Sequence, residues 1–221
     1  MKVLGAVACG LLGLAVGVFL NVVIERVPEK QRPWPIPLKG PVLIPVANGA
    51  LFVAAAIRFG ADWALPAYLV FFASLLAISV IDLRLQIIPN RIVYPTIFVT
   101  IPLFALAALA QHDGGRLVRA LIAGAAAWAA LLVIHLVSPG GLGFGDVRLS
   151  FILGMFLGWL SYGHVLVGMF LGFLLGAVVG VGLVALRLRK RTDSVPFGPF
   201  LAAGAAIAVL FGQPIVKAWL G

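Results

Sequence analysis

The chain has 221 residues, of which 63% are hydrophobic and 10% charged, with a mean hydropathy of +1.17 and a net charge of +9. A soluble domain is about 45–50% apolar and about 25% charged, so this composition excludes a sizeable soluble domain. The charge does not mark a nucleic-acid binder either, because the basic residues lie between apolar stretches rather than in a stripe with interleaved aromatics.

A membrane span needs about 20 mostly apolar residues. That rule predicts an all-α, polytopic membrane protein whose whole length, 1–221, is one integral-membrane domain with about eight transmembrane helices. The predicted segments are 3–24, 41–58, 62–82, 87–111, 116–136, 147–162, 164–187 and 198–219. The first follows Lys2 in the manner of a signal peptide. It is longer than an h-region and has no small-residue cleavage site before Asn21, so it reads as a helix. Its Cys9 is the only cysteine, which rules out an internal disulfide. Pro41, Pro45 and Asn48 weaken the second segment; Pro95 and Pro102 in the fourth are tolerated in membranes. The sixth is short and opens at Asp146. Gly154 and Gly158, then Gly168, Gly172 and Gly176, recur every four residues, the spacing of close helix packing.

Loop charge sets the expected orientation. Eleven of the 16 basic residues follow segments one, three, five and seven: Arg26, Lys30, Arg32, Lys39, Arg84, Arg91, Arg148, Arg187, Arg189, Lys190 and Arg191. The positive-inside rule puts that side in the cytoplasm and both termini outside. Segment three then exits to the cytoplasm at Asp82, and segment six starts from it at Asp146, so both acids are expected at one face.

Those two acids are the candidates for chemistry. A charge near hydrocarbon costs about 2.5–3.5 kcal/mol on insertion scales and is usually there for a purpose. Two carboxylates sharing one proton can split water between a base and an acid. Gly143 and Gly145 leave the backbone before Asp146 open to an extended substrate. The plainer readings are an Asp146 that caps the next helix and an Asp82 that pairs with Arg84 or Arg91. A helix C-terminus is nonetheless a poor place for an acid. His112 and Asp113 fall in a short loop. His135 and His164 are isolated and lack metal-ligand spacing.

Four ordered segments are similar to signatures of the bacterial type IV prepilin peptidase family. Gly17-Val18-Phe19-Leu20-Asn21-Val22-Val23-Ile24-Glu25-Arg26-Val27-Pro28 resembles G-S-F-L-N-V-x-I-x-R-x-P, with Val18 in place of Ser. Asp82-Leu83-Arg84, followed by Ile88-Pro89-Asn90, resembles I-D-x-x-x-x-x-I/L-P-D, with Asn90 at the last position. Gly143-Phe144-Gly145-Asp146-Val147-Arg148-Leu149 resembles G-x-G-D-V-K/R-L, and Val195-Pro196-Phe197-Gly198-Pro199-Phe200 resembles I-P-F-G-P-F.

The resemblance implies a G-x-G-D aspartic endopeptidase of the bacterial cytoplasmic membrane that removes the basic leader of prepilins or pseudopilins at the cytoplasmic face. It implies Asp82 and Asp146 as the catalytic pair. Gly143, Gly145, Arg84, Arg148, Pro196, Phe197, Gly198, Pro199 and Asn21 become substrate-binding or supporting residues. It implies no metal or cofactor for the cleavage, and the bilayer and the pilin substrate as partners. Many members carry a cysteine-rich, zinc-binding insertion after the first helix and N-methylate the new N-terminus with S-adenosylmethionine. Here residues 28–48 contain no cysteine, and the loop over 25–40 is short. S-adenosylmethionine therefore enters only if the methyltransferase activity persists, and the missing insertion argues against it. The rival class is a small proton- or cation-coupled transporter using Asp82 and Asp146. Transporter sites favour the bilayer midplane rather than one face. A structural subunit without chemistry leaves the two acids unexplained.

The charge asymmetry predicts that reporter fusions in the 25–40, 137–146 and 188–197 loops report cytoplasm and fusions at both termini report the outside. A cytoplasmic C-terminus would remove one span from this topology.

Overall fold

A computed structural model describes residues 2–28, 41–138, 141–187 and 196–220. They form eight α-helices: α1 (Lys2–Arg26), α2 (Leu43–Phe59), α3 (Leu65–Leu85), α4 (Asn90–Ala110), α5 (Gly114–Val137), α6 (Phe144–Leu160), α7 (Tyr162–Ala185) and α8 (Gly198–Leu220). Each predicted segment corresponds to one helix. The short loop predicted over 25–40 lies outside the described residues from 29 onward, as does most of the 188–197 connection. Six helices are long and apolar enough to cross a bilayer, and the chain is a multi-pass membrane protein. The other two, α2 and α6, have 17 residues each. Such a helix rises about 25 Å, less than the roughly 30 Å of hydrocarbon.

The helices belong to two compact units. The first is Met1–Ile81 with Pro89–Leu117; the second is Asp82–Ile88 with Val118–Gly221. In the first unit α1 and α2 pack closely because small residues face each other. A Cβ on Gly13 would lie 2.8 Å from the Gly49 backbone, and Gly17 lies against Pro45. Asn48 is fully buried there, and its Nδ2 donates to the Gly13 carbonyl at 2.8 Å. Its position in the weak second segment is thus explained by a partner on α1. Pro45 sits in the first turn of α2, where a missing N–H costs nothing. Tyr68 stacks on Phe59 at 4.1 Å and meets Phe71 and Phe104 edge-on. Thr96, one residue after Pro95, is hydrogen-bonded to the Ser74 hydroxyl at 2.7 Å and so ties α4 to α3.

The second unit is built around α6. Val147, Leu149, Ser150 and every residue from Ile152 to Trp159 are buried. A short helix with no lipid-facing stripe is a core element, and this explains its length. Gly154 and Gly158 pack directly on α5: a Cβ on Gly154 would meet the Ala123 carbonyl at 2.6 Å, and Gly158 lies against Ala123. The contact is closer than the spacing alone conveys, because even alanine would force α5 and α6 apart. The glycines of α7 serve α8 in the same way, with Gly172 against Leu201 and Gly204.

Arg119 of α5 fixes the far end of α6. Its Nε donates to the Gly158 carbonyl at 2.7 Å, and its Nη2 donates to those of Trp159 at 2.7 Å and Leu160 at 3.1 Å. These are terminal carbonyls with no intrahelical partner, at the negative end of the helix dipole. Replacing Arg119 with Met keeps the length and loses all three bonds. We expect a loss of about 1.5–3 kcal/mol, the range for bonds to charged groups, read as a lower thermal midpoint in detergent. Arg119→Lys should recover only part, because an ammonium lacks the planar fork.

Candidate active site

Asp82 occupies the last turn of α3. The helix stops there because Gln86 turns to φ 53°, the left-handed region, while its N–H donates to the Asp82 carbonyl at 2.9 Å. The Asp82 side chain is buried, with 4% exposure. It has been brought to the start of a different helix: its Oδ2 accepts from the N–H of Gly198, the first residue of α8, at 3.0 Å across 116 positions of sequence. An acid at the wrong end of α3 is therefore at the right end of α8, where free N–H groups and the dipole favour a negative charge. Among the described residues no ion pair joins it to Arg84, which is exposed.

The C-terminal motif explains how Gly198 reaches the carboxylate. Phe197 precedes α8, and its carbonyl accepts from Phe200 N at 3.1 Å and Leu201 N at 3.2 Å. Its ring lies on Gly176 of α7 and 5.1 Å from the Phe173 ring. Pro199 follows within the first turn, where its missing N–H is harmless. Gly198 itself is buried, and a Cβ on it would lie 2.8 Å from Asp82 Oδ2. No other residue type fits without moving the acid.

Asp146 is the third residue of α6. The helix is capped by Gly143, in an extended conformation and without a side-chain cap, so the capping reading of Asp146 is not what is observed. The carboxylate instead reaches back to the Gly143 N–H, the reverse arm of a capping box. Asp146 is buried, with 7% exposure, and its Oδ1 has no hydrogen-bond partner among the described residues. The charge of Asp82 acts on Asp146, so the two acids are electrostatic neighbours within one unit.

Ile88 joins the two halves of the site. A Cβ on Gly145 would lie 2.9 Å from Ile88 Cβ, and one on Gly198 would lie 3.3 Å from Ile88 Cδ1. Ile88 thus fills the space between the two glycines that flank the acids, a role not apparent from sequence. Its only signal was the fixed distance from Asp82 in the first motif. Arg148 is half-buried with its guanidinium 4.5 Å from the Phe144 ring centre. His135 lies 2.7 Å from the Leu142 carbonyl and stacks obliquely on Phe144 at 5.6 Å. Pro196 is half-buried ahead of Phe197. Asn21 belongs to the other unit; it is buried in α1 with its Nδ2 3.4 Å from the Pro41 carbonyl. Val195 of the C-terminal motif lies outside the described residues. Among the described residues no three His, Cys, Asp or Glu side chains gather as metal ligands.

The Gly198 contact makes a specific prediction. Gly198→Ala should lower the thermal midpoint in detergent by several degrees, because the added methyl displaces Asp82 from its N–H donor. Gly180→Ala, which has open space around it, should leave the midpoint unchanged or raise it. Equal midpoints for the two variants would mean that the close approach at Gly198 does not hold in the folded protein.

Comparison with known proteins places this chain in a family. Residues 69–181 match the type IV leader peptidase family, a span that begins before Asp82 and runs past Asp146. The chain is 31% identical over 179 residues to the prepilin leader peptidase/N-methyltransferase of Aeromonas hydrophila, covering 80% of this chain and 60% of that protein. It is 34% identical over 176 residues to the protein of the same name from Bacillus subtilis, covering 79% and 67%. With that of Pseudomonas aeruginosa it is 29% identical over an alignment of 275 positions, covering 95% and 91%. That alignment is longer than the chain, so the Pseudomonas protein holds residues that this chain lacks. No solved structure matches. Four signatures in order, two buried acids held by the glycines of two of them, and this matched span together make the chain a member of the type IV leader peptidase family.

Proposed function

We propose that the protein is a membrane-embedded aspartic endopeptidase that removes the leader peptide from type IV prepilins or pseudopilins, with Asp82 and Asp146 as its catalytic pair. The observation that carries the reading is the pair itself. Two buried carboxylates, each held by a backbone N–H at the start of a helix, are electrostatic neighbours in a chain of this family. Two close carboxylates do not both ionise cheaply, so the pair keeps one proton. The ionised member takes a proton from water as the oxygen attacks the scissile carbonyl. The protonated member gives its proton to the departing amine as the C–N bond breaks, and the pair ends with one proton again. No covalent intermediate, metal or cofactor enters this cycle. The observed pKa values belong to the pair rather than to either residue.

The distribution of basic residues supports an active site at the cytoplasmic face of the cytoplasmic membrane. The relatives' names include an N-methyltransferase activity. The absence of cysteine between residues 28 and 48 supports a short form that cleaves without methylating. Gly143 and Gly145 support an extended substrate strand beside Asp146, since neither carries a side chain to fend it off.

Asp82→Asn and Asp146→Asn are each expected to lower cleavage of a leader-bearing pilin by at least about a thousandfold at matched membrane levels, and the double variant should be no worse, because the two act as a unit. Wild-type processing by either single variant would remove the pair. Cleavage should persist in EDTA; loss restored by zinc would replace this mechanism with a metal-dependent one. Gly145→Val, crowded against Ile88, should cut the rate more than tenfold.

A further inference from the structure

We propose that His135 is a positioning residue for Asp146, acting through the single peptide group that joins Leu142 to Gly143. The proposal rests on the reading of Asp146 as a reacting acid. His135 sits in the last turn of α5, with Nδ1 2.7 Å from the Leu142 carbonyl oxygen. A carbonyl only accepts, so Nδ1 carries the hydrogen and donates it. The N–H of that same peptide, on Gly143, donates to the Asp146 carboxylate. Imidazole, amide and carboxylate are therefore linked in series through one planar, resonance-coupled unit. A donor on the carbonyl draws electron density from nitrogen to oxygen. That strengthens the N–H as a donor at its other end.

The surroundings hold this arrangement in place. The Leu142 side chain is buried and resists rotation of the peptide. The imidazole is steadied by the Phe144 ring at 5.6 Å, and that ring lies under the Arg148 guanidinium at 4.5 Å. Gly143 remains extended, at ψ 145°, which points its N–H back toward the third residue of the helix. The charged and titratable groups along the chain of contacts, besides His135, are Asp146, its neighbour Asp82, and Arg148. The plainer alternative is that His135 merely staples the end of α5 to the segment before α6. A staple affects how much enzyme is well folded, whereas a relay also sets how readily Asp146 holds its proton.

Three variants of the full-length protein, assayed in detergent on a leader-bearing pilin peptide, separate the two. His135→Leu removes the donor. His135→Asn places an amide N–H at the position of Nδ1, and His135→Gln places it one bond farther out. We expect His135→Leu and His135→Gln to lose about tenfold in kcat with little change in KM. The acid limb of kcat/KM should move up by about half a pH unit, as the carboxylate loses part of its hydrogen-bond support. His135→Asn should restore both. An unshifted limb in His135→Leu overturns the proposal even if the rate falls. If His135→Leu does not fold, His135→Gln takes its place. A second readout needs no activity: the carboxyl infrared band lost in Asp146→Asn should titrate at higher pH in His135→Leu, and an unmoved midpoint also overturns the proposal. If even the wild-type protein cleaves no leader, the peptidase reading falls, while the infrared midpoint still decides the role of His135.

Discussion

The site depends on one hydrogen bond, from the Gly198 N–H to the Asp82 carboxylate at 3.0 Å. Asp82 stands at the end of an apolar helix, where both burial and the dipole of α3 oppose its charge. A hydrogen bond to a charged group is worth about 1.5–3 kcal/mol. A partly buried helix N-terminus adds up to about 2 kcal/mol. Together these are of the same order as the roughly 2.5–3.5 kcal/mol that insertion scales assign to a misplaced acid. The contact therefore offsets part of the cost of an ionised Asp82. Everything around Gly198 serves it. Phe197 wedges against Gly176 and Phe173 of α7 and so sets where α8 begins. Glycine at 198 lets the carboxylate approach the backbone.

The same residue type does two different jobs in this chain. On α6 and α7, glycine removes bulk so that helices pack close: Gly154 and Gly158 against α5, and Gly172 against α8. Around the acids, glycine removes bulk so that a backbone N–H can meet a carboxylate, as at Gly143 and Gly198, or so that Ile88 can sit beside Asp146, as at Gly145. Four-residue spacing distinguishes the first job from the second. A packing glycine repeats along one face of a helix, whereas a site glycine stands at or just before a helix start, and its acid is either close in sequence, as for Gly143 and Gly145, or far away, as for Gly198.

That difference also marks what the sequence made legible. Eight helices were readable because apolar runs of span length are a strong signal, and both acids were readable because charges stand out in such runs. The partners of the acids were not. Asp82 finds its donor 116 residues away, a distance over which no periodicity speaks. Taken by their neighbours alone, the plainer alternatives are that Asp82 pairs with Arg84 or Arg91 and that Asp146 caps its own helix. Tertiary structure overrides both: Arg84 is left exposed, and Asp146 sits one turn inside α6 with Gly143 as the cap. Ile88 and His135 carry no site role in the sequence for a related reason. An isoleucine among apolar residues and a histidine near a helix end are both ordinary, and only the folded chain sets Ile88 against Gly145 and Gly198 and His135 against Leu142.

The two acids are held in the same way, and that constrains the chemistry. Each accepts a backbone N–H at the first turn of a helix, Asp82 from α8 and Asp146 from the residue that caps α6. A backbone donor cannot swing away as a long arginine or lysine side chain can, and it does not hold the carboxylate permanently ionised as a full cation would. The pair can therefore be positioned firmly and still exchange a proton. Asp146 Oδ1, buried without a hydrogen-bond partner among the described residues, is the atom left over after this anchoring. A purely structural carboxylate would be expected to satisfy both oxygens, since an unpaired buried acceptor costs about 1–3 kcal/mol. A carboxylate that must take or give a proton at a reacting water needs one oxygen anchored and one available. Asp146 has one oxygen anchored at its own helix start and one left unpaired, the division of labour that the proposed hydrolysis calls for.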